Sequence, residues 1–339
     1  MTIGATAKKL TTRRLNDMGL SFMHAGTLLA ALELGLFDAL SEGPQPLAEV
    51  ARRMGLAEDR ADKLVTACAA LDLVKRKGAT ISNAEETDRF LVRHKPTYFG
   101  DYLLHFAKGS YPIWGKLAER LRSVSTQGRG RYYDTAADSK EARALTEAGY
   151  TGSQGTARML ARRFDFSPYR RLLDIGGGSG VYSIEACKRY PGLSATVLDF
   201  PAVCEVTREF IRKANLDERI EAIGGDFTAD PFPAGPDIAL LCGNIHAYDS
   251  ATAERVVKKA YDVLPSGGAM IICDYMLNDE KTGPPVAAFL SVAQAFQAGT
   301  GKVHTGAEFR RYMETAGFRV YKVEEFLEGS LGWATAIKP

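Results

Sequence analysis

LLDIGGGSGVYSIEACKRY, residues 172–190, is the stretch on which the reading of the chain turns. An apolar run ends in Asp174; Gly176, Gly177, Gly178, Ser179 and Gly180 follow, and the rest has the spacing of a helix. Glycine permits both a tight turn and the close approach of a ligand to the backbone. A dinucleotide site asks for G-x-G-x-x-G, whereas Gly176, Gly178 and Gly180 give G-x-G-x-G, and neither frame has glycine at the sixth place. The spacing favours an S-adenosylmethionine site, although a tight turn without a ligand also fits such a run taken alone.

Working outward, short apolar runs alternate with amphipathic stretches after Pro168: RRLLDI, SATVLDF, IEAIGGD, DIALLCG and AMIICDYML. That alternation predicts an α/β fold with a mostly parallel sheet covered on both faces. FRVYKVEEFL and GWATAIKP close the chain with no helix between them, so at least one runs antiparallel. Such an ending favours a Rossmann-like class I methyltransferase sheet, its last strand antiparallel, over an ordinary dinucleotide domain. Asp199 and Asp226 fall where the second and third strands end, and ligands of open α/β sheets bind at carboxyl ends of strands. Asp199 can accept both ribose hydroxyls, Asp226 the adenine amino group, and Phe227 can cover the ring. Any one of these acids also suits a helix N-cap; three in register argue for one ligand. Asp174, Gly176, Gly178, Asp199, Phe200, Asp226, Phe227 and Cys242 form the candidate cofactor set, for S-adenosylmethionine and its product S-adenosylhomocysteine.

Upstream, apolar residues recur at helical spacing from Leu15 to about Leu121, as in Leu28, Leu29, Leu32, Leu36, Phe37 and Leu40. Gly43-Pro44 breaks the pattern, then LAEVARRMGL and DKLVTACAALDLV read as a helix-turn-helix, and VKRKGATISNAEETDRFLV as the wing of a winged helix. The expected division is a helical domain at 1–123, connecting helices at 124–165 and a catalytic domain at 166–339.

With 339 residues and 45% hydrophobic composition, the chain can bury two cores. Lys and Arg number 43 against 41 Asp and Glu, so no like-charge block recommends nucleic acid or an anionic membrane as a partner. The basic N-terminus lacks a following apolar stretch of signal-peptide length, and no long apolar run suggests a membrane span. The expectation is a soluble cytoplasmic protein. Cys68, Cys187, Cys204, Cys242 and Cys273 include no C-x-x-C pair, which suits reduced core thiols and no metal site.

These features, with GNIHAYDS and DVLPSGGAMIICDYML, resemble the dimeric small-molecule O-methyltransferase family that includes caffeate, phenazine and hydroxyneurosporene methyltransferases. The resemblance spans nearly the whole chain. It implies a homodimer in which the winged-helix domain serves for dimerisation and lends residues to the partner's pocket. It also implies a His base in an L-H-D-W motif after the fourth strand. Ile245-His246-Ala247-Tyr248 matches with His246 retained, Asp replaced by Ala247 and Trp by Tyr248. The acid that orients the His in plant members matches Asp274, making His246 and Asp274 the candidate catalytic pair. A second acid, in a G-K-E-R-T-like segment, falls at Gly301-Lys302-Val303-His304-Thr305, where Val303 replaces the carboxylate.

A phenol or alcohol must lose a proton during methylation, and a thioether has none to lose. Loss of the second acid and of the Asp beside His246 is what a relaxed need for a base permits. The run LTTRRLNDMGLSFMHAGTLLAALELGLFDAL also looks like the bacterial S-methyltransferases of dimethylsulfoniopropionate synthesis, which implies 4-methylthio-2-hydroxybutyrate as acceptor. That acid needs an anchor for its carboxylate, for which Tyr150, Arg143, Arg158 and His304 are candidates. Tyr248, Tyr111 and Phe296, with Tyr102, Phe106 and Trp114, are candidates to line the substrate pocket; each also suits a core or surface role. Two readings stay open beside S-methylation: an aromatic or phenolic O-methyltransferase using His246 as general base, and a winged-helix regulator that senses S-adenosylmethionine without catalysis.

Overall fold

The computed structural model describes residues 10–122, 138–297 and 300–339, except the side chains of 106 and 295–297. Two units divide between Pro112 and Ile113. In the first, helical spacing produces Arg13–Leu20, Phe22–Glu33, Leu36–Ala39, Leu47–Met54 and Glu58–Ala70. Gly55 ends the fourth of these at φ 68°, a left-handed conformation that a side chain resists. Strand β1 (Gln45–Pro46) pairs with β3 (Thr80–Asn83), which pairs in turn with β2 (Val74–Lys77), all antiparallel. The helix-turn-helix and its wing are therefore present as the sequence predicts. Leu36, Phe37, Val50, Val65 and Ile81 form the core of this unit. Helix Arg13–Leu20 buries none of its residues, and Leu15, Met18, Phe22 and Met23 are exposed.

The second unit carries a sheet built from β4 (Arg171–Ile175), β5 (Ser194–Asp199), β6 (Ile220–Gly224), β7 (Ile238–Cys242), β8 (Ala269–Leu277), β9 (His304–Thr305), β10 (Arg319–Leu327) and β11 (Leu331–Ile337). Its order is β10-β11-β8-β7-β4-β5-β6, with β9 beside β8. The strands β4 to β8 are parallel, while β11 runs antiparallel to both β8 and β10. This is the class I Rossmann-like methyltransferase sheet.

Alternation along each strand explains why both faces are covered. Leu172, Val197, Leu240 and Ile271 point to one side, where helices Ser139–Arg163, Val181–Arg189 and Pro201–Lys213 pack. Leu173, Ile175, Leu241 and Ile272 point to the other, covered by Ser250–Val263 and Gly306–Ala316. Three helix entries carry a side-chain cap. Asp138 accepts from Lys140 and Glu141 N–H groups, Asp249 from Thr252 N–H, and Thr305 with Glu308 forms a capping box. β4 lies between β5 and β7, so the strand order reverses there, the point at which open α/β sheets bind ligands beyond the carboxyl ends of their strands. Among the described residues, no helix is long and apolar enough to cross a membrane.

Candidate active site

The turn that follows β4 holds Gly176, Gly178 and Gly180 at φ of 61°, 55° and 72°, which explains their identity. A Cβ on Gly176 would sit 2.3 Å from Asn244 Nδ2 and 2.7 Å from Phe227 Cε1, whereas one on Gly178 would meet nothing within 4 Å. Three side chains tie the turn down. Asp199, at the end of β5, accepts the Gly178 N–H at 2.8 Å through Oδ2 and the Phe200 N–H at 2.8 Å through Oδ1. Thr207 Oγ1 lies 2.6 Å from Gly178 O. Asn244 Nδ2 donates to Ile175 O at 2.7 Å and Gly176 O at 2.9 Å.

Asp174 is fully buried and accepts from the Ser183 hydroxyl at 2.7 Å. Burial pushes its carboxyl up to about 6; the Ser183 bond opposes this and the nearby Asp199 charge adds to it. Asp226 Oδ1 accepts the Thr228 N–H at 2.9 Å and its hydroxyl at 2.7 Å, closing the loop after β6. Phe227 is 2% exposed, with its ring edge-on to Tyr248 at 5.3 Å. Lys259 anchors that loop from helix Ser250–Val263, donating to Phe227 O at 2.8 Å and to Asp230 O.

The second half of the site comes from β7 and β8. A short 3-10 turn, Ile245–Ala247, carries His246. Asp274, fully buried in β8, accepts from His246 Nδ1 at 2.7 Å, from the His246 N–H at 3.3 Å and from the Tyr275 N–H at 2.6 Å. A carboxylate only accepts, so Nδ1 carries the proton and Nε2 remains an acceptor. The His246 side chain keeps 17% exposure, and Tyr275 flanks its ring edge-on at 5.7 Å.

The glycine turn fits a nucleoside-linked methyl donor. Asp174 Oδ1 and Asn244 Oδ1 are buried acceptors without a partner among the described residues, which suits a ligand bearing positive charge and polar groups. The O-methyltransferase domain profile matches residues 114–319, and the O-methyltransferase dimerisation domain profile matches residues 17–93. The chain belongs to the O-methyltransferase family.

Its relatives agree. This methyltransferase is 34% identical over 332 residues to the 3-hydroxy-5-methyl-1-naphthoate 3-O-methyltransferase of Streptomyces sahachiroi, covering 96% of this chain and 94% of the relative. It is 30% identical over 352 residues to the N,N-dimethyltransferase OxyT of Streptomyces rimosus, covering both chains completely at 100%. Its fold superposes on human N-acetylserotonin methyltransferase in complex with S-adenosylmethionine with a TM-score of 0.85, at 25% identity and 99% coverage of each chain. The chain is thus an S-adenosylmethionine-dependent enzyme that methylates a small molecule.

Several residues expected at the acceptor pocket make contacts with other protein groups. His304 is fully buried, with Nδ1 2.8 Å from Tyr312 Oη and Nε2 3.2 Å from Ile245 O. Burial lowers its pKa, and both ring nitrogens have protein partners. Tyr150 stacks on Phe210 at 4.1 Å between two helices. Arg143 lies on the surface, ion-paired with Glu209 at 2.6 Å and Glu147 at 3.3 Å, and Arg158 pairs with Glu185 at 3.4 Å. Within the first unit, the Tyr111 hydroxyl donates to Phe22 O at 2.9 Å and Tyr102 stacks on Phe99. Trp114 meets Phe289 edge-on at 6.3 Å. The side chains of Phe106 and Phe296 lie outside the described residues. Cys242 sits in the sheet core opposite Cys273, its thiol pushed up by burial, and Phe200 N-caps helix Pro201–Lys213. Sequence reasoning passed over Asn244, Ser183 and Thr207. The polar Asn244 immediately after β7, two residues before His246, was the available signal for the first.

Proposed function

We propose that this enzyme methylates the hydroxyl oxygen of an aromatic or phenolic acceptor of secondary metabolism. His246 Nε2 takes the hydroxyl proton, and Asp274 orients the ring and offsets the positive charge that it acquires. The observation that carries this reading is the bond between His246 Nδ1 and the buried Asp274. A buried carboxylate aimed at an imidazole prepares that ring to receive a proton, and methylation of a thioether releases none. The names of the naphthoate and acetylserotonin relatives point the same way. S-adenosylmethionine, when bound, supplies the electrophilic methyl group. Asp174, Gly176, Gly178, Asp199, Phe200, Asp226 and Phe227 are the residues that would hold it, with Asn244 keeping the turn in register with the His246 loop and Cys242 behind them.

The same reading takes residues 1–123 as the dimerisation domain, 124–165 as the connection and 166–339 as catalytic; within the connection the helix Ser139–Arg163 is described, and 124–137 lie outside the described residues. A second copy of the chain covers the exposed Leu15, Met18, Phe22 and Met23, and light scattering should return twice the chain mass. Five free, buried cysteines suit the reducing cytoplasm.

Incubation of purified protein with labelled S-adenosylmethionine and two sets of acceptors tests the oxygen reading. Phenols should be turned over, and 4-methylthio-2-hydroxybutyrate should not. Turnover of the thioether alone restores the S-methylation reading and removes this one.

A further inference from the structure

The 3-10 turn that presents His246 is held from within by two backbone hydrogen bonds, Ala247 N–H to Asn244 O at 3.0 Å and Tyr248 N–H to Ile245 O at 3.1 Å. A single turn of this kind has poor bond geometry and does not stand by itself. Asp274 grips it through His246. A second buried side chain, outside that pair, reaches it as well: His304 is fully buried, with Nε2 3.2 Å from Ile245 O. Register explains the convergence. Strand β9 runs parallel to β8 with His304 beside Met276, and Met276 stands two residues past Asp274. Residues two apart on a strand share a face, as do register partners on neighbouring strands. Asp274 and His304 therefore leave the sheet on one face and meet consecutive residues of the same turn.

The proton arrangement follows from the partners. A carbonyl only accepts, so Nε2 of His304 carries a proton, and in the neutral ring Nδ1 accepts. Tyr312 Oη, 2.8 Å from Nδ1, is then the donor. Having one proton to give, it takes a bond from the Ser250 hydroxyl, whose Oγ lies 2.9 Å away. Burial keeps the His304 ring neutral by lowering its pKa. The charges beside it, Lys302 and Glu308 of helix Gly306–Ala316, pair with each other at 2.5 Å. The row Ser250, Tyr312, His304 thus has one consistent order of donors, and it ends with an N–H directed at Ile245 O.

We propose that His304 is a positioning residue for methyl transfer: its Nε2–H fixes Ile245 O, and with it the turn that carries His246, while Tyr312 and Ser250 hold it in the required tautomer. This deepens the oxygen reading and rests on it for the part that His246 plays. A displaced base lowers the rate without loosening the methyl donor, and a misplacement of about 1 Å costs about 100-fold.

The test uses two amides of different reach in the full-length enzyme. Gln extends its N–H to the place of Nε2 and can donate to Ile245 O, whereas Asn extends only to the place of Nδ1 and can meet Tyr312 alone. With labelled S-adenosylmethionine and a phenol that wild type turns over, His304→Asn should lower kcat about 10- to 100-fold. His304→Gln should keep kcat within about fivefold. In both variants KM for the phenol and calorimetric affinity for S-adenosylmethionine should stay within about threefold of wild type. Tyr312→Phe, which releases the tautomer, should lower kcat about 3- to 10-fold, and it repeats the test should the Asn variant fold poorly. Equal kcat in the Asn and Gln variants, a loss of cofactor affinity that matches the loss of kcat, or an unchanged kcat in Tyr312→Phe overturns the proposal. So does imidazole nitrogen NMR of wild type that finds the His304 proton on Nδ1. If wild type methylates no phenol, the oxygen reading fails by itself, and the same spectra still decide the role of His304. His246 should carry its proton on Nδ1 in wild type and in the Gln variant and lose that preference in the Asn variant; the same tautomer in all three overturns the positioning role.

Discussion

Asp274→Asn probes the proposed proton transfer with almost no change of shape. Asp274 Oδ1 accepts from both His246 Nδ1 and the Tyr275 N–H, and Oδ2 takes only the longer 3.3 Å bond from the His246 N–H. Asn keeps the two short bonds by placing its carbonyl at Oδ1, so the imidazole stays in the same tautomer and orientation. What disappears is the charge facing the ring as it becomes positive. With charge centres about 4 Å apart and an effective dielectric constant of about 20, that attraction is about 4 kcal/mol. Only part of the positive charge has developed when the methyl group moves, so roughly 2–4 kcal/mol of barrier is at stake. The turnover number for a phenol should therefore fall about 30- to 1,000-fold. Initial rates at saturating phenol give the change, while calorimetry with S-adenosylmethionine should find its affinity within about threefold of wild type, since the cofactor residues are untouched. A turnover number within threefold of wild type on a phenol refutes the argument. A loss of rate matched by a loss of cofactor affinity refutes it equally, because the substitution would then act through the fold.

Two glycines of the turn separate backbone strain from ligand clearance. Gly176→Ala combines a left-handed φ of 61° with a Cβ 2.3 Å from Asn244 Nδ2, and should weaken S-adenosylmethionine binding at least about tenfold. Gly178→Ala has only the conformational cost, about 1 kcal/mol of stability, because its Cβ meets no protein atom within 4 Å; equal stability losses for the two variants contradict the tether to Asn244. Burial raises Asp174 to about 6, so its contribution to stability is complete below its unfolded value near 4 and is lost as the pH rises through about 6. Urea unfolding of the cofactor-free protein at pH 5 and pH 7.5 should show Asp174→Asn gaining on wild type by about 1.4 kcal/mol at the higher pH, and an unchanged difference rejects the shift. The guanidinium of Arg219 reaches the carbonyls of Cys187, Tyr190, Pro191 and Leu193 at 2.8–3.3 Å, fastening the end of helix Val181–Arg189. Arg219→Ala should cost about 2–3 kcal/mol in denaturant unfolding, and a loss below about 0.5 kcal/mol removes the clamp from the fold's support.

The central strands were legible because each is a short apolar run ending at a polar turn, and parallel strands buried on both faces cannot read otherwise. β4 and β5 carry Asp174 and Asp199 at their carboxyl ends, as the strand pattern indicated, while Asp274, which the family resemblance picked out, lies within β8. Periodicity reports which face is covered, not by what. Asn244 reaches carbonyls 68 and 69 residues earlier, and Arg143 meets Glu209 across 66, distances over which local patterns carry no information. His304 misled for the opposite reason: Tyr312, one strand-to-helix connection away, occupies the nitrogen that seemed available to a substrate. The base shows the same limit in its sharpest form. Val303 and Ala247, where the family resemblance implies acids, read as a depleted apparatus, and depletion suggested an acceptor without a proton. Yet counting carboxylates along a chain measures neither burial nor aim. Asp274 alone takes three donors from the His246 loop and β8 while fully shielded from water, and Val303 packs with Leu277 and Ala287 to close the apolar wall beside it. A single acid in that setting can hold the imidazole and face its charge, so the missing acids are no argument against proton removal.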